Sequence, residues 1–298
     1  DASWIIFQAV PVPPEGDEPS PHYSMYAAKL VRERGRIVGT SEPILLSQPG
    51  SANTCGWFHP TEPGLVLFGT TTTPPEDNTA PGYQRGTSRY QWMFPTEMEI
   101  VTAAIEPAAR GGASVAVHGP MFERDGYDAE GSWSPCGRFV LYAAVDGERS
   151  QALGRPDADL WIFDTQTGAQ TNIVEAAGYD GGPFYSPDGT WICYRSDRRG
   201  DNELQLFMAE LSFDDDGAIT GVAREIQLTD NRDVNWAPYF HPSGDALTFT
   251  SSHVGHTNYE VLMVGAEPDT PRDDRSMRRI TFAAGFDGLS VFSPDGSH

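Results

Sequence analysis

Apolar residues in this chain come in short runs separated by turn residues, without the three-to-four spacing of a helical face. One kind of run is tied to a turn signature. An aromatic residue, a Ser or His, and a Pro stand together at Phe58-His59-Pro60, Trp133-Ser134-Pro135, Tyr185-Ser186-Pro187, Phe240-His241-Pro242 and Phe292-Ser293-Pro294. In all but the first, Gly follows two residues after the Pro, at Gly137, Gly189, Gly244 and Gly296; the first has the longer Thr61-Glu62-Pro63-Gly64. Pro early and Gly late is tight-turn chemistry. A β-prone run follows each of the first four turns, at 65–70, 138–144, 190–196 and 246–251, and a run of the same kind opens the chain at 3–9.

Two further runs complete each unit. The first lies at 25–31, 98–105, 159–165, 204–211 and 260–266; the second, after a Gly or Asp turn, at 43–48, 113–119, 171–177, 225–230 and 278–284. Each unit is therefore four short strands in about 50 residues, the period of a propeller blade. The fold class expected is all-β, a β-propeller of four-stranded blades, with no helix. It forms a single domain over 1–298, with blade repeats near 1–52, 53–126, 127–178, 179–233 and 234–286 and a partial one at 287–298. The strand leading into the Ser-Pro turn is called a, and b, c and d follow it. Strand a is expected innermost, and the aromatic two before the Pro is expected to pack between blades.

Stretches such as GYDGGPFYSPDGTWICYRSDRRG (178–200), GFDGLSVFSPDG (285–296), TCGWFHP (54–60) and GYQRGTSRYQWMFPTEMEIVTA (82–103) resemble the TolB-like propellers, the Pro-Asp relatives of the WD-repeat propellers, in bacterial exported proteins. The resemblance implies a periplasmic or otherwise exported binding protein and usually six blades. A truncated six-bladed propeller with five blades' worth of strands is the expectation; the alternative is a five-bladed ring closed by pairing 287–292 with 3–9. Cys136 and Ser243 stand where this pattern has Asp.

Seven residues before each repeat Pro stand Asn53, Asp128, Asp180, Asn235 and Asp287. At the start of an innermost strand, five such side chains would surround a channel mouth. Their oxygens suit a hard cation such as Ca²⁺, held by Asp128, Asp180 and Asp287, or a basic group of a partner. The other reading is structural: Asp and Asn cap turns by bonding nearby backbone groups. Propeller topology puts these positions on the same face as the b–c connections 10–24, 70–97, 145–158 and 252–259. Long loops on a rigid scaffold tend to carry function. The 70–97 connection holds Arg85, Arg89, Tyr90, Trp92 and Phe94, residue types that anchor interfaces, or that fold back onto their own blade.

Composition narrows the picture. With 42 acidic against 20 basic residues and a net charge of −22, the chain repels phosphate backbones, so nucleic acid is not an expected partner. Three cysteines without a CxxC make neither a disulfide framework nor a zinc site. No apolar stretch is long enough to span a membrane. His253-Val-Gly-His256 with Glu260 is a partial metal pattern only, since HExxH is absent. Arg195-Ser-Asp-Arg198-Arg199 reads as a solvated loop whose arginines could hold a carboxylate. No nucleophile elbow, phosphate loop or dinucleotide fingerprint occurs. The function expected is a non-catalytic, monomeric binding module for a protein or glycan. The rivals are a metal-dependent polysaccharide lyase or hydrolase and the accessory propeller of a peptidase.

Overall fold

The computed structural model describes residues 3–76, 82–84, 89–107 and 113–298. They fall into two compact units, Asp1–Pro81 with Trp92–Gly131 and Gly82–Gln91 with Ser132–His298. The architecture is all-β: among the described residues there are five four-stranded antiparallel sheets, the blades of a β-propeller, and one small hairpin.

In the first unit, sheet I holds β1 (Trp4–Ala9), β2 (Ser24–Glu33), β3 (Arg36–Thr40) and β4 (Ile44–Leu45). Its order is β1-β2-β3, with β4 beside the start of β2. The run expected as the last strand, 43–48, thus shrinks to two residues. Arg36–Thr40 forms a strand that hydrophobic patterning misses because all five residues are exposed. Sheet II comprises β5 (Asn53–Phe58), β6 (Leu65–Thr70), β9 (Glu99–Pro107) and β10 (Ala113–Pro120). The hairpin of β7 (Gly82–Gln84) and β8 (Arg89–Gln91) belongs to the second unit.

Sheet III holds β11 (Asp128–Trp133), β12 (Phe139–Val145), β13 (Ala158–Asp164) and β14 (Gln170–Val174). Sheet IV holds β15 (Asp180–Tyr185), β16 (Trp191–Ser196), β17 (Gln205–Phe213) and β18 (Ile219–Gln227). Sheet V holds β19 (Asn235–Phe240), β20 (Ala246–Ser251), β21 (Glu260–Gly265) and β22 (Met277–Arg279). The run at 278–284 is thus mostly irregular. The 145–158 connection contains a helix, α1 (Gly147–Leu153), where none was expected. It forms because Asp146 caps it, accepting the Arg149 amide proton, and Gly154 ends it at φ 73°. With no buried residue it shows no apolar stripe to read.

The Ser-Pro turns explain the repeat. Gly137, Gly189, Gly244 and Gly296 each donate N–H to the residue three back, and each lies at φ between 68° and 80°, where Cβ is disfavoured. The Ser134 and Ser186 hydroxyls accept the Phe139 and Trp191 amide protons and so lock strand b's start. At Tyr185 and Phe240 the aromatic two before the Pro packs between blades, as expected. Tyr185 joins Phe139, Leu141 and Leu160 of sheet III with Ile192 and Tyr194 of sheet IV. Phe240 joins Leu206 and Met208 of sheet IV with Leu247 and Phe249 of sheet V. Burying a side chain of this size contributes about 1.5–3 kcal/mol before entropy is counted.

Candidate functional site

Asn53, Asp128, Asp180 and Asn235 are each the first residue of a strand a, and all are buried, none more than 5% exposed. Asp287 is half-buried and follows the bridge between Tyr259 and Phe286.

In the first unit, Asn53 donates from Nδ2 to the carbonyls of Tyr23 (2.8 Å) and Ser51 (2.9 Å), tying strand a to the preceding chain. Asp128 donates its amide proton to Met98 O, and its Oδ1 lies 3.3 Å from Arg124 Nε. Its Oδ2 is buried without a hydrogen-bond partner. Burial pushes its pKa up to about 7, Arg124 pulls it down and Glu99 pushes it up. The Glu99 carboxyl is raised too, by burial and then by Glu123.

In the second unit, Asp180 faces Ser196 across the β15–β16 ladder; its Oδ2 accepts the Ala176 amide proton (3.2 Å) and its Oδ1 meets Arg198 Nη2 (3.4 Å). Burial raises its pKa to about 7 against the opposing pull of Ser196, Arg198 and the Ala176 amide. Asn235 donates to Gln205, Asn231 and Asp233 while its Oδ1 accepts from Ser251. The two Asn side chains thus turn their NH₂ groups to protein acceptors and their oxygens to Ser hydroxyls, an arrangement for capping turns rather than for ligating a cation. Among the described residues no three His, Cys, Asp or Glu side chains are grouped as a metal's ligands. His253 pairs with Asp233 (3.0 Å), His256 with Tyr259 (3.2 Å), and Glu260 with Arg279, Thr281 and Asn258.

The first residue of Gly-Tyr-Asp has its own reason. Gly178 lies at φ 108°, and a Cβ there would stand 2.3 Å from Asp197 Oδ1 and 2.7 Å from Arg155 Nη2. Those two side chains form an ion pair at 2.7 Å, and Asp197 Oδ1 also accepts the Tyr179 amide proton. Gly181 and Gly182 make room in the same way. Added Cβ atoms would meet Tyr179 Oη at 2.2 Å and Arg195 Nη1 at 1.8 Å.

The segment Arg195–Arg199 is not a solvated loop. Arg195, Ser196 and Asp197 are buried, and Arg195 lies over the Tyr179 ring. Arg198 lies 4.1 Å above the Phe207 ring, holds Glu225 at 2.6 Å and reaches Asp180. The arginines do hold carboxylates, but those of this chain. The carboxylates come from other strands, which linear spacing does not show. Arg149 of α1 was not anticipated either. It binds Asp157 (2.6 Å), Asp159 (2.9 Å) and Glu175 (2.8 Å), and burial raises Asp159 to about 6 although Arg149 opposes it.

These contacts join b–c to d–a connections: 145–158 to 175–178 through Arg149–Glu175 and Gly178 N–Asp157, and 197–204 to 230–231 through Arg199–Asp230. Within the second unit the Asx positions and these connections share one face, as topology predicts. Of the 70–97 residues, Arg85 lies outside the described residues, as do the side chains of Arg89 and Tyr90. Trp92 is half-buried, and Phe94 packs edge-on against Tyr127 with ring centres 5.1 Å apart, back onto its own unit.

No protein-family model matches the chain. It is 33% identical over 119 residues to the uncharacterized protein Atu1656 of Agrobacterium fabrum and 31% over 114 residues to dipeptidyl-peptidase 5 of Porphyromonas gingivalis. It is also 30% identical over 124 residues to the Tol-Pal system protein TolB of Nitratidesulfovibrio vulgaris. These alignments take in 40%, 36% and 42% of this chain but only 34%, 16% and 24% of the relatives. A solved structure of a TolB candidate from Agrobacterium tumefaciens superposes over 98% of this chain and 87% of its own, with TM-score 0.58 at 18% identity. The fold is that of a TolB-like β-propeller. Oligogalacturonate lyase from Vibrio parahaemolyticus shares the scaffold, covering 99% of this chain and 77% of its own, with TM-score 0.51 at 11% identity. A TolB-like propeller is thus a scaffold on which unrelated activities sit, and only the site can separate them. No helix among the described residues is long and apolar enough to cross a membrane.

Proposed function

We propose that the protein is a non-catalytic binding module, exported to the periplasm and monomeric, whose b–c and d–a loop face engages a protein partner. A glycan is the alternative ligand of that face. The observation that carries this reading is the stapling of those connections by Arg149, Arg155 and Arg199, which presents loops without the ordering cost that flexible ones meet on binding. The chain's excess of acid favours a partner with a basic surface. The likeness to TolB, a Tol-Pal system protein, supports an exported protein-binding role. The stretch shared with dipeptidyl-peptidase 5 supports a second reading, the accessory propeller of a peptidase.

The test is a photo-crosslinking residue placed at Asp201, in the b–c connection of sheet IV, compared with one at Asp216, in the c–d turn at the opposite end of β17. In a periplasmic extract the Asp201 position should give a discrete adduct and the Asp216 position none. Equal adducts from both, or none from Asp201, would refute the assignment of the face.

A further inference from the structure

The connection between β21 and β22, residues 266–276, starts at buried Ala266 and is exposed or half-exposed from there on, with one exception. That exception is an arginine. Arg275 follows a single 3₁₀ turn, Arg272–Asp274, whose three residues are all exposed, yet it is only 8% exposed itself. The connection lies along β18 of sheet IV. Asp269 pairs there with Arg224 at 3.0 Å, and Arg272 pairs with Asp230, just after β18, at 2.9 Å.

One bond orients the Arg275 guanidinium: Nη1 donates to the Gly265 carbonyl at 2.9 Å. Nε and Nη2 are buried without a hydrogen-bond partner. These two nitrogens carry the parallel N–H bonds of the guanidinium fork, the edge that matches the two oxygens of a carboxylate. Among the described residues no carboxylate forms an ion pair with it. Glu267 stands beside Gly265, where an added Cβ would meet its Oε2 at 2.8 Å. From there it opposes, without a bond, the lowering of the Arg275 pKa that burial causes.

The other arginines of this unit behave differently. Arg138, Arg149, Arg155, Arg198, Arg224 and Arg272 are all more exposed than Arg275, and each meets a carboxylate within 3.1 Å. A guanidinium keeps its charge at any ordinary pH. Buried with one carbonyl and no counter-ion, it is strongly disfavoured until an anion completes it.

We propose that Arg275 is an anion-binding residue whose Nε–Nη2 edge takes the carboxylate of a small monocarboxylic acid beside Gly265. The acids of the same connection, Glu267, Asp269, Asp273 and Asp274, repel anions approaching from solvent. A singly charged ligand of matching shape therefore suits the site better than a doubly charged one. This ligand is distinct from the partner of the loop face proposed above.

The probe is sodium acetate, titrated into the full chain carrying isotope-labelled arginine, at constant ionic strength with chloride as the balancing anion. By NMR, the Nε–H signal that Arg275→Lys removes should move saturably, while the signals of ion-paired arginines such as Arg138 stay in place. Acetate should raise the melting temperature over the chloride control. Arg275→Lys, which keeps the charge but not the fork, should lose that rise. An unmoved Arg275 signal, or an equal shift in chloride alone, overturns the proposal. So does sulfate binding as tightly as acetate. A signal that Glu267→Gln moves and acetate does not also overturns it, since the carboxylate on the fork would then be the chain's own. Should Arg275→Lys not fold, the parent must still show a single arginine Nε–H signal that saturates with acetate, and the lack of one refutes the site.

Discussion

Asp180→Asn tests whether a buried acid sets the pH dependence of stability. The native carboxyl is fully buried with a pKa raised to about 7, against about 3.9 in an unfolded chain. The folded state therefore binds this proton more tightly than the unfolded state. Its contribution is fully favourable below pH 4 and is lost as pH rises through 7. Linkage over these two values gives a ceiling of about 2.5 kcal/mol lost between pH 5 and 7.5. Urea unfolding of the parent at those two pH values should show stability falling as pH rises. Asp128, raised to about 7, and Asp159, raised to about 6, act in the same direction. Asn cannot ionise, so Asp180→Asn should remove roughly 1–2.5 kcal/mol of that fall, whatever its effect on absolute stability. An Asn variant whose fall matches the parent's would refute the claim that Asp180 is protonated near neutrality. The opposite sign holds for Asp164, kept at about 2 chiefly by its bond to Arg138, so stability gained there should be lost as pH drops from 4 to 2.

Other outcomes follow from single contacts. Gly182→Ala should destabilise by about 2–3 kcal/mol in urea melts, because its Cβ would displace the buried Arg195 guanidinium and leave a charge poorly solvated. Ala237→Gly, at the equivalent position of β19 with φ 51°, should instead be neutral or stabilise by up to about 1 kcal/mol, since it relieves left-handed strain without touching Arg195; a loss above about 1 kcal/mol would count against that account. Trp236→Ala, fully buried between Phe286 and the sheet, should cost about 3–5 kcal/mol. In a thiol-titration assay under native conditions, exposed Cys136 should react quickly; buried Cys193, its thiol pushed far up by burial, should react only on unfolding.

The fold was legible because its signal is local and repeated. An aromatic-Ser/His-Pro-x-Gly turn needs only a few adjacent residues, and the φ values and amide bonds of Gly137, Gly189, Gly244 and Gly296 agree. The alternation of apolar runs then fixed most strands. Sheet I hid β3, whose residues are all exposed, and α1 hid because it buries nothing and rests on a cap at Asp146. The repeated Asx positions could be found by counting, because each starts a strand a or its equivalent.

Their chemistry could not be found that way. Whether Asp180 is a free ligand or a buried acid depends on Arg198 eighteen residues away and on Glu225 beyond it, and only strand pairing brings these together. The charged run 195–199 looked solvated because composition says nothing about which face of a strand meets a neighbouring sheet. The sequence by itself determined the period, the turns and the strands, since those are properties of short stretches of backbone. The tertiary structure decided which charges are paired and which carboxyls are buried. Those depend on desolvation and on distances between residues far apart in the chain.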